Sequence, residues 1–196
     1  MRGTITKFLI VPILALALSA CGINSVPTAE ENVKAKWGDV ERTYQRRADL
    51  IPNLVETVKG FAAQEQDTLT AVVEARAKAT SIQVSANDLG DASKIQEFAA
   101  AHGALSQGIG RLLASVEAYP DLKSNQNFLA LQSQLESTEN RISVARRDYN
   151  EAVRQYNTTI RTFPDIIGAK IIHGAEPMEP FSATTEGADE APDVSF

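Results

Sequence analysis

The chain's one cysteine lies at the end of an apolar run close to the start of the sequence, in surroundings typical of a lipid attachment site. A basic start and an apolar run over residues 8–18 precede the tetrapeptide Leu18-Ser19-Ala20-Cys21. Small residues let the chain lie extended in a peptidase cleft, and the thiol that follows is the group that receives a diacylglyceryl chain. The pattern predicts a signal peptide over 1–20, a lipid on the sulfur of Cys21 with palmitate among its acyl groups, and a tether over 21–28.

An uncleaved membrane helix is the alternative to a lipid anchor. A span needs about 20 consecutive apolar residues. The run over 8–18 is shorter, and Pro12 lies inside it. We therefore expect a lipid-anchored protein of the bacterial cell envelope, on the periplasmic or extracytoplasmic face, and the choice between inner and outer membrane stays open.

Charge and cysteine content exclude several classes of protein. The net charge is -6, and removal of residues 1–20 takes away Arg2 and Lys7 and gives -8. Residues 174–196 hold six acids and neither Lys nor Arg, so residues 22–173 are near neutral, with 17 basic and 19 acidic residues. A nucleic-acid partner is excluded because its phosphates require a basic surface. A lipid on Cys21 leaves no thiol for a disulfide or a metal site.

Apolar residues repeat at seven-residue spacing through most of the chain, which is typical of long helices in a bundle. Thr28 and Glu31 form a capping box that predicts the start of the first helix. The clearest series is Trp37, Tyr44, Ile51, Val58, Val72 and Ala79. The spacing predicts an all-α fold, an elongated antiparallel bundle of about four long helices over residues 29–173.

Pro52 interrupts the first helical pattern. It removes one helical hydrogen bond and disfavours helical geometry at Ile51. Because the repeat passes from Tyr44 to Val58 without a slip, we expect a continuous helix kinked at Pro52 that extends to about residue 79. A second helix capped by Asp49 is the alternative.

Polar residues surround this proline, and they are the candidate partner contacts. Pro52 leaves the carbonyl of Ala48 without its helical donor, and a neighbouring side chain or a partner could supply one. A purely structural role is also adequate, with the stem of Arg47 on the apolar seam and its charge in water. The candidates are Arg46, Arg47, Asp49 and Asn53.

Later segments complete the bundle and end in a tail. Residues 80–91 are predicted as a loop, and Ser93 with Gln96 caps a helix that ends at Pro120. The last long helix is predicted over 124–162. One seven-residue series in it is Phe128, Leu135, Ile142, Tyr149, Tyr156 and Phe163. Residues 174–196 combine prolines and acids with little apolar surface, so we expect a disordered acidic tail.

Few residues suggest catalysis. His102 lies on the apolar seam, where a buried and satisfied histidine is expected, and no pair of histidines has the spacing of a zinc site. We expect no metal and no cofactor. The amides of Asn140, Asn150 and Asn157 flank the aromatic seam of the last helix, where they either fix helix register or form a polar strip for a partner.

Several segments form a specific combination of motifs: residues 37–40, 46–61, 118–125, 138–142 and 149–150. Together these motifs resemble the LemA family. The resemblance covers residue 33 to about 169 and leaves the acidic tail outside. It implies an α-helical bundle in the bacterial envelope, attached to the membrane at its N-terminus, with no established enzymatic activity and no known cofactor.

Two hypotheses follow for the function. The first is a membrane-anchored, non-catalytic interaction or scaffold protein with an unknown envelope protein as partner. The second is an envelope hydrolase or small-ligand carrier with a site between helices, near His102 or the kink.

Overall fold

The structure is a computed structural model that describes the backbone of residues 2–181 and the side chains of residues 24–181. In the described part the chain is all α-helical, as predicted. The helices are α1 (Arg2–Lys59), α2 (Gln66–Ser81), α3 (Ala92–Val116), α4 (Pro120–Lys123), α5 (Gln126–Thr159) and α6 (Asp165–Gly168), with a 3₁₀ turn at Ala86–Asp88 and a π-helical turn at Ala169–His173.

The four long helices α1, α2, α3 and α5 form the antiparallel bundle. Trp37 packs on Tyr149 and Arg47 meets Glu139, so α5 runs opposite to α1. Val72 lies against Gly108, and α2 fills the space beside α1 and α3. At about 1.5 Å per residue, the 34 residues of α5 extend for roughly 50 Å.

The core has two parts along this length. The distal core lies where all four helices run side by side and contains residues such as Ile51, Val72, Leu105 and Leu135. The proximal core lies towards the N-terminal end of α1 and contains Trp37, Ile95, Ile142 and Tyr149, with Phe181 from the chain that follows the bundle. The predicted apolar series is confirmed, because Trp37, Tyr44, Ile51, Val58, Val72 and Ala79 are all buried.

The predicted start of the first helix at Thr28 is wrong, because α1 is helical without a break from Arg2. The Thr28 hydroxyl donates to the carbonyl of Asn24, 2.6 Å away, as a residue inside a helix does, so it caps nothing. Ser25 donates to Asp165, and Val26 is buried, so tertiary contacts hold residues 24–28 in the helix.

The predicted continuity through Pro52 is confirmed, but α1 ends at Lys59 and does not reach residue 79. Residues 60–65 form a turn, and α2 runs back along α1. A seven-residue repeat cannot distinguish a continuing helix from a tight helical hairpin whose second helix buries the same series. Phe61, which follows Leu54 at the seven-residue spacing, lies exposed in this turn.

The later helix boundaries are close to those predicted. Asp91, and not Ser93, caps α3, accepting from the backbone N–H groups of Ser93 and Lys94. Asn125 caps α5 in the same way. Pro120 follows the end of α3 and begins α4.

The prediction of a disordered tail from residue 174 is wrong for its first part. Gly174 adopts a left-handed conformation with φ of 55°, which ends the π-helical turn and redirects the chain. Residues 175–181, which we call the strap, then lie on the bundle with Met178 and Phe181 buried. Residues 182–196, the rest of the predicted tail, lie outside the described residues.

Candidate functional site

Cys21, the predicted lipid attachment site, lies in α1, but its side chain is outside the described residues. No helix in the described part of the chain is long and apolar enough to cross a membrane. The structure therefore gives no geometry for the anchor.

The four candidate partner contacts around Pro52 do not form one surface. Arg46, Asp49 and Asn53 are exposed, and their spacing of three and four residues places them on one face of α1. The Asp49 carboxylate accepts from Gln45 on the same face, at 2.7 Å. Arg47 faces the opposite way and is 2% exposed, so the expectation that its charge lies in water is wrong.

The carbonyl that Pro52 leaves without a helical donor is satisfied by another helix. Arg76 of α2 donates from Nε to the carbonyl oxygen of Ala48, at 2.8 Å. The sequence indicates the unpaired acceptor, because a proline removes the donor to the residue four positions earlier. It does not indicate Arg76, whose approach depends on the turn at residues 60–65.

Arg47 is the centre of a polar layer between the two cores. Its Nη1 donates to Ser106 and to Glu139 Oε2, the latter at 3.1 Å, and its Nη2 donates to the carbonyl of His102 at 2.9 Å. The charge is compensated by Glu139, whose side chain is 57% exposed and reaches in from solvent. Arg47 Nε is buried and has no hydrogen-bond partner among the described residues.

His102 is part of the same layer. It is buried, as predicted, with its Nδ1 3.4 Å from Arg47 Nη2 and its ring packed on Tyr44 and Phe98. Burial lowers the pKa of His102 to about 4, and the positive charge of Arg47 adds to the effect. The imidazole is therefore neutral at pH 7, and its position between two rings stabilises the packing of α1 against α3.

A cleft of about 720 Å³ opens above this layer, between α3 and α5. Tyr44 and Arg47 form its floor, Gly103 and Gln107 line one side, and Arg146 lines the other. A Cβ added to Gly103 would meet nothing within 4 Å, so the wall of the cleft is open at this residue.

The strap is held by two asparagines of α5. Asn157 donates to the carbonyl of Met178 at 2.8 Å and accepts from its N–H at 2.9 Å. Asn150 does the same with Phe181, at 3.0 and 2.8 Å. Seven residues of a helix extend for about 10 Å, and three residues of an extended chain cover about the same distance. The distance between the two asparagines along α5 therefore matches the distance between Met178 and Phe181 along the strap.

The backbone of Glu179, between these two residues of the strap, is also bound. Glu179 donates its N–H to the carbonyl of Leu89 at 2.8 Å and accepts from the Tyr149 hydroxyl at 2.8 Å. Pro177 and Pro180 have no N–H, so every N–H in residues 177–181 has a partner. The prolines that suggested disorder restrict the chain to the bound conformation.

Phe181 fills an aromatic pocket in the proximal core. Its ring stacks on Trp37 with 5.6 Å between centroids and meets Tyr149 edge on at 5.6 Å. The guanidinium of Arg146 lies 5.1 Å from the centroid of the Phe181 ring. Two asparagines seven residues apart beside an aromatic seam were the sequence signal for this site. Their target was not predictable, because residues 174–181 have the composition of a tail.

The amide of Asn140 is not part of this arrangement. Asn140 is exposed and lines a shallow surface depression between α1 and α5. Among the described residues, no group of three or more His, Cys, Asp and Glu side chains is placed to hold a metal ion.

The fold and the site together define a class of protein, an antiparallel helical bundle completed at one end by its own C-terminal strap. The sequence profile of the LemA family matches residues 36–196, and the chain belongs to the LemA family. Since the match includes residues 174–196, the expectation that the acidic tail lies outside the family pattern is wrong.

Curated relatives share between 24 and 29% of their residues with this chain over the matched regions. Magnetosome protein MamQ 2 of Paramagnetospirillum magneticum is 29% identical over 184 residues, covering 83% of this chain and 67% of that protein. Magnetosome protein MamQ of Magnetospirillum gryphiswaldense is 26% identical over 183 residues, with the same shares covered. Protein LemA of Metamycoplasma hominis is 24% identical over 124 residues, covering 63% of this chain and 52% of that protein.

Proposed function

We propose that this protein is a membrane-anchored, non-catalytic interaction or scaffold protein of the bacterial cell envelope. The observation that carries the proposal is the set of four hydrogen bonds by which Asn150 and Asn157 hold the backbone of the strap. These contacts fix Phe181 on the bundle, and so the point at which residues 182–196 begin. These residues carry four acids and neither Lys nor Arg, which suits a partner with a basic surface.

The polar layer around Arg47 supports a structural role for the charged groups of the interior. Its guanidinium is bound to Ser106, Glu139 and the backbone of His102, and these contacts join α1, α3 and α5. His102 is neutral at pH 7 because burial lowers its pKa. A layer of this kind fixes the register of helices.

The anchor in this proposal is a lipid on Cys21. The amino-acid pattern around the cysteine supports it, as does the envelope location that the family resemblance implies. Metabolic labelling of cells with a palmitate analogue, for wild type and Cys21→Ser, tests it. We expect label on the wild type alone, and loss of processing in the variant. A Cys21→Ser protein that is still cut and still retained by membranes at normal levels would contradict the lipid anchor.

The exposed face formed by Arg46, Asp49 and Asn53 is the second candidate contact for the partner. A photoreactive amino acid placed at Asn53, and in a second strain at Glu186, tests both contacts in intact cells. Glu74, exposed on α2, is the control position. We expect a specific protein adduct at one or both test positions and not at Glu74. An adduct pattern identical at all three positions, or no adduct at either test position, would refute a scaffold role for these surfaces.

A small-ligand carrier or hydrolase is the second candidate, because the cleft above Arg47 is large enough for a small molecule and Arg47 Nε has no acceptor among the residues that the structure describes. Gly103→Leu would place a larger side chain at this cleft, and its Cβ would meet nothing within 4 Å. Native mass spectrometry of the protein purified from its own membranes would reveal a bound molecule. A ligand present in the wild type and lost from Gly103→Leu would favour this candidate over the scaffold.

A further inference from the structure

Exposed apolar side chains are concentrated in one short segment. Eight large apolar residues are exposed in the described part, and four of them lie in residues 163–172, which we call the apolar corner. Apolar residues scattered singly over a surface are ordinary, whereas a contiguous group marks an interaction site. The four are Phe163, Ile167, Ile171 and Ile172, which are 69, 52, 79 and 58% exposed.

The apolar corner is firmly attached to the bundle by its other face. Gly168 and Ala169 are buried, and Asp165 accepts from the hydroxyl of Ser25 at 2.6 Å. Ile167 and Ile171 are four residues apart, so they lie on the same side of the helical segment. The isoleucines face outwards because the small residues between them occupy the contact with α1.

Its position relates the apolar corner to the membrane anchor. Ser25 is four residues from Cys21 and seven from Leu18, the last residue of the apolar run. At about 1.5 Å per residue, these separations are roughly 6 Å and 10 Å along α1. Whether a lipid or an apolar helix holds the N-terminus, the bilayer surface lies within about one to two helical turns of the apolar corner.

We propose that the apolar corner inserts into the surface of the bilayer that holds the N-terminus. The occupant of this apolar face is lipid, and the inference depends on the membrane anchoring in the proposed function. Arg161 and Lys170 are exposed beside the isoleucines, where their charged ends can reach lipid phosphates while their stems lie along the apolar surface.

Two attachment points give the bundle a defined orientation. The N-terminal anchor and the apolar corner lie at the proximal end, so the bundle stands on this end with the turn at 60–65 directed away from the membrane. The strap runs from Gly174 back along α5 to Asn150. Asn150 precedes the end of α5 by nine residues, or about 14 Å, so Phe181, which Asn150 binds, lies above the bilayer surface.

Tryptophan quenching in vesicles tests this orientation with the full-length lipidated protein. The vesicles contain phosphatidylethanolamine, phosphatidylglycerol and a brominated phosphatidylcholine. Ile171→Trp reports on the apolar corner, and Leu129→Trp is the matched control, an exposed apolar position at the other end of α5. Trp37 is buried, and its signal, measured in the wild type, is subtracted. Phe163→Trp is a second reporter should Ile171→Trp fail to fold.

We expect a blue shift and loss of emission for Ile171→Trp and no change for Leu129→Trp. Equal quenching of both would mean that the bundle lies flat and would overturn the proposal. No quenching of Ile171→Trp or Phe163→Trp in protein that floats with the vesicles would also overturn it and leave the anchor intact. Protein that does not float at all would refute the anchor and the apolar corner together.

Discussion

At the scale of single residues, α1 continues through Pro52 because another helix supplies the hydrogen-bond donor that the proline lacks. Arg76 reaches the carbonyl of Ala48, so the acceptor that the proline would leave unpaired is satisfied. A buried acceptor without a partner costs about 1 to 3 kcal/mol. The proline and the arginine are therefore energetically coupled, although they are 24 residues apart in sequence.

A double-mutant cycle tests this coupling. Arg76→Ala should lower the free energy of unfolding by about 1 to 3 kcal/mol, because it leaves the Ala48 carbonyl without a donor. In a Pro52→Ala background the restored N–H of residue 52 can bond to that carbonyl. Arg76→Ala should then lower the free energy of unfolding by a smaller amount. Urea unfolding of the four proteins measures the difference. Equal costs in both backgrounds would show that Arg76 acts independently of the proline.

His102 should make stability depend on pH. Its pKa falls from 6.5 to about 4 in the folded state, so the unfolded chain binds a proton between these values and the folded chain does not. The neutral, buried His102 therefore contributes its full share to the free energy of unfolding above pH 6.5, and this stabilisation is lost as the pH falls towards 4. Between pH 7 and pH 5 the loss should be about 2 kcal/mol.

The measurement is urea unfolding of the wild type and His102→Gln at both pH values. His102→Gln should lose less stability than the wild type on acidification. Identical pH dependence in the two proteins would mean that another group causes the loss.

At the scale of helices, the sequence predicts the buried faces well and the ends of α1 poorly. The seven-residue series identifies Ile142, Tyr149 and Tyr156 of α5 as core, and all three are buried. The same series continues to Phe163, which is exposed because α5 has ended by then. Periodicity reports which face of a helix is apolar, whereas its ends depend on contacts with distant residues, such as that between Ser25 and Asp165.

A pair of adjacent substitutions on α5 tests the assignment of faces. Ile142→Asp places a carboxylate in the proximal core and should cost several kcal/mol, roughly the whole stability margin of a small domain. Ser143→Asp adds the same group on the exposed side, where water solvates it. Thermal melts followed by circular dichroism should show a large fall for Ile142→Asp alone. Similar melting temperatures for both variants would mean that the assigned faces are wrong.

At the scale of the whole molecule, the strap completes the proximal half of the bundle. The helix α2 ends at Ser81, and beyond it the side of the core that α2 would cover is filled by Val84, Leu89, Met178 and Phe181. The sequence did not predict this, because the strap has no periodicity and its partners are amides 21 to 31 residues earlier in the chain. The strap is therefore part of the folded unit, and it fixes on the bundle the point at which residues 182–196 begin.

Two truncations should separate the strap from the residues that follow it. Ending the chain after His173 removes the side chains of Met178 and Phe181 from the core, and each contributes about 1.5 to 3 kcal/mol on burial. We therefore expect a fall of many degrees in melting temperature. Ending it after Phe181 retains every described contact and should leave the melting temperature close to that of the full chain. If the two truncations melted alike, the strap would not be part of the folded unit.

Hydrogen exchange in the full-length protein measures directly whether the strap is part of the folded unit. The N–H groups of Met178, Glu179 and Phe181 donate to Asn157, Leu89 and Asn150, so a peptide covering the strap should be protected to an extent comparable with α5. Replacement of Asn150 and Asn157 by Ala should remove that protection, and Asn140→Ala, at an exposed amide on the same helix, should preserve it. Complete exchange of the strap at the earliest time in the wild-type protein would contradict the account.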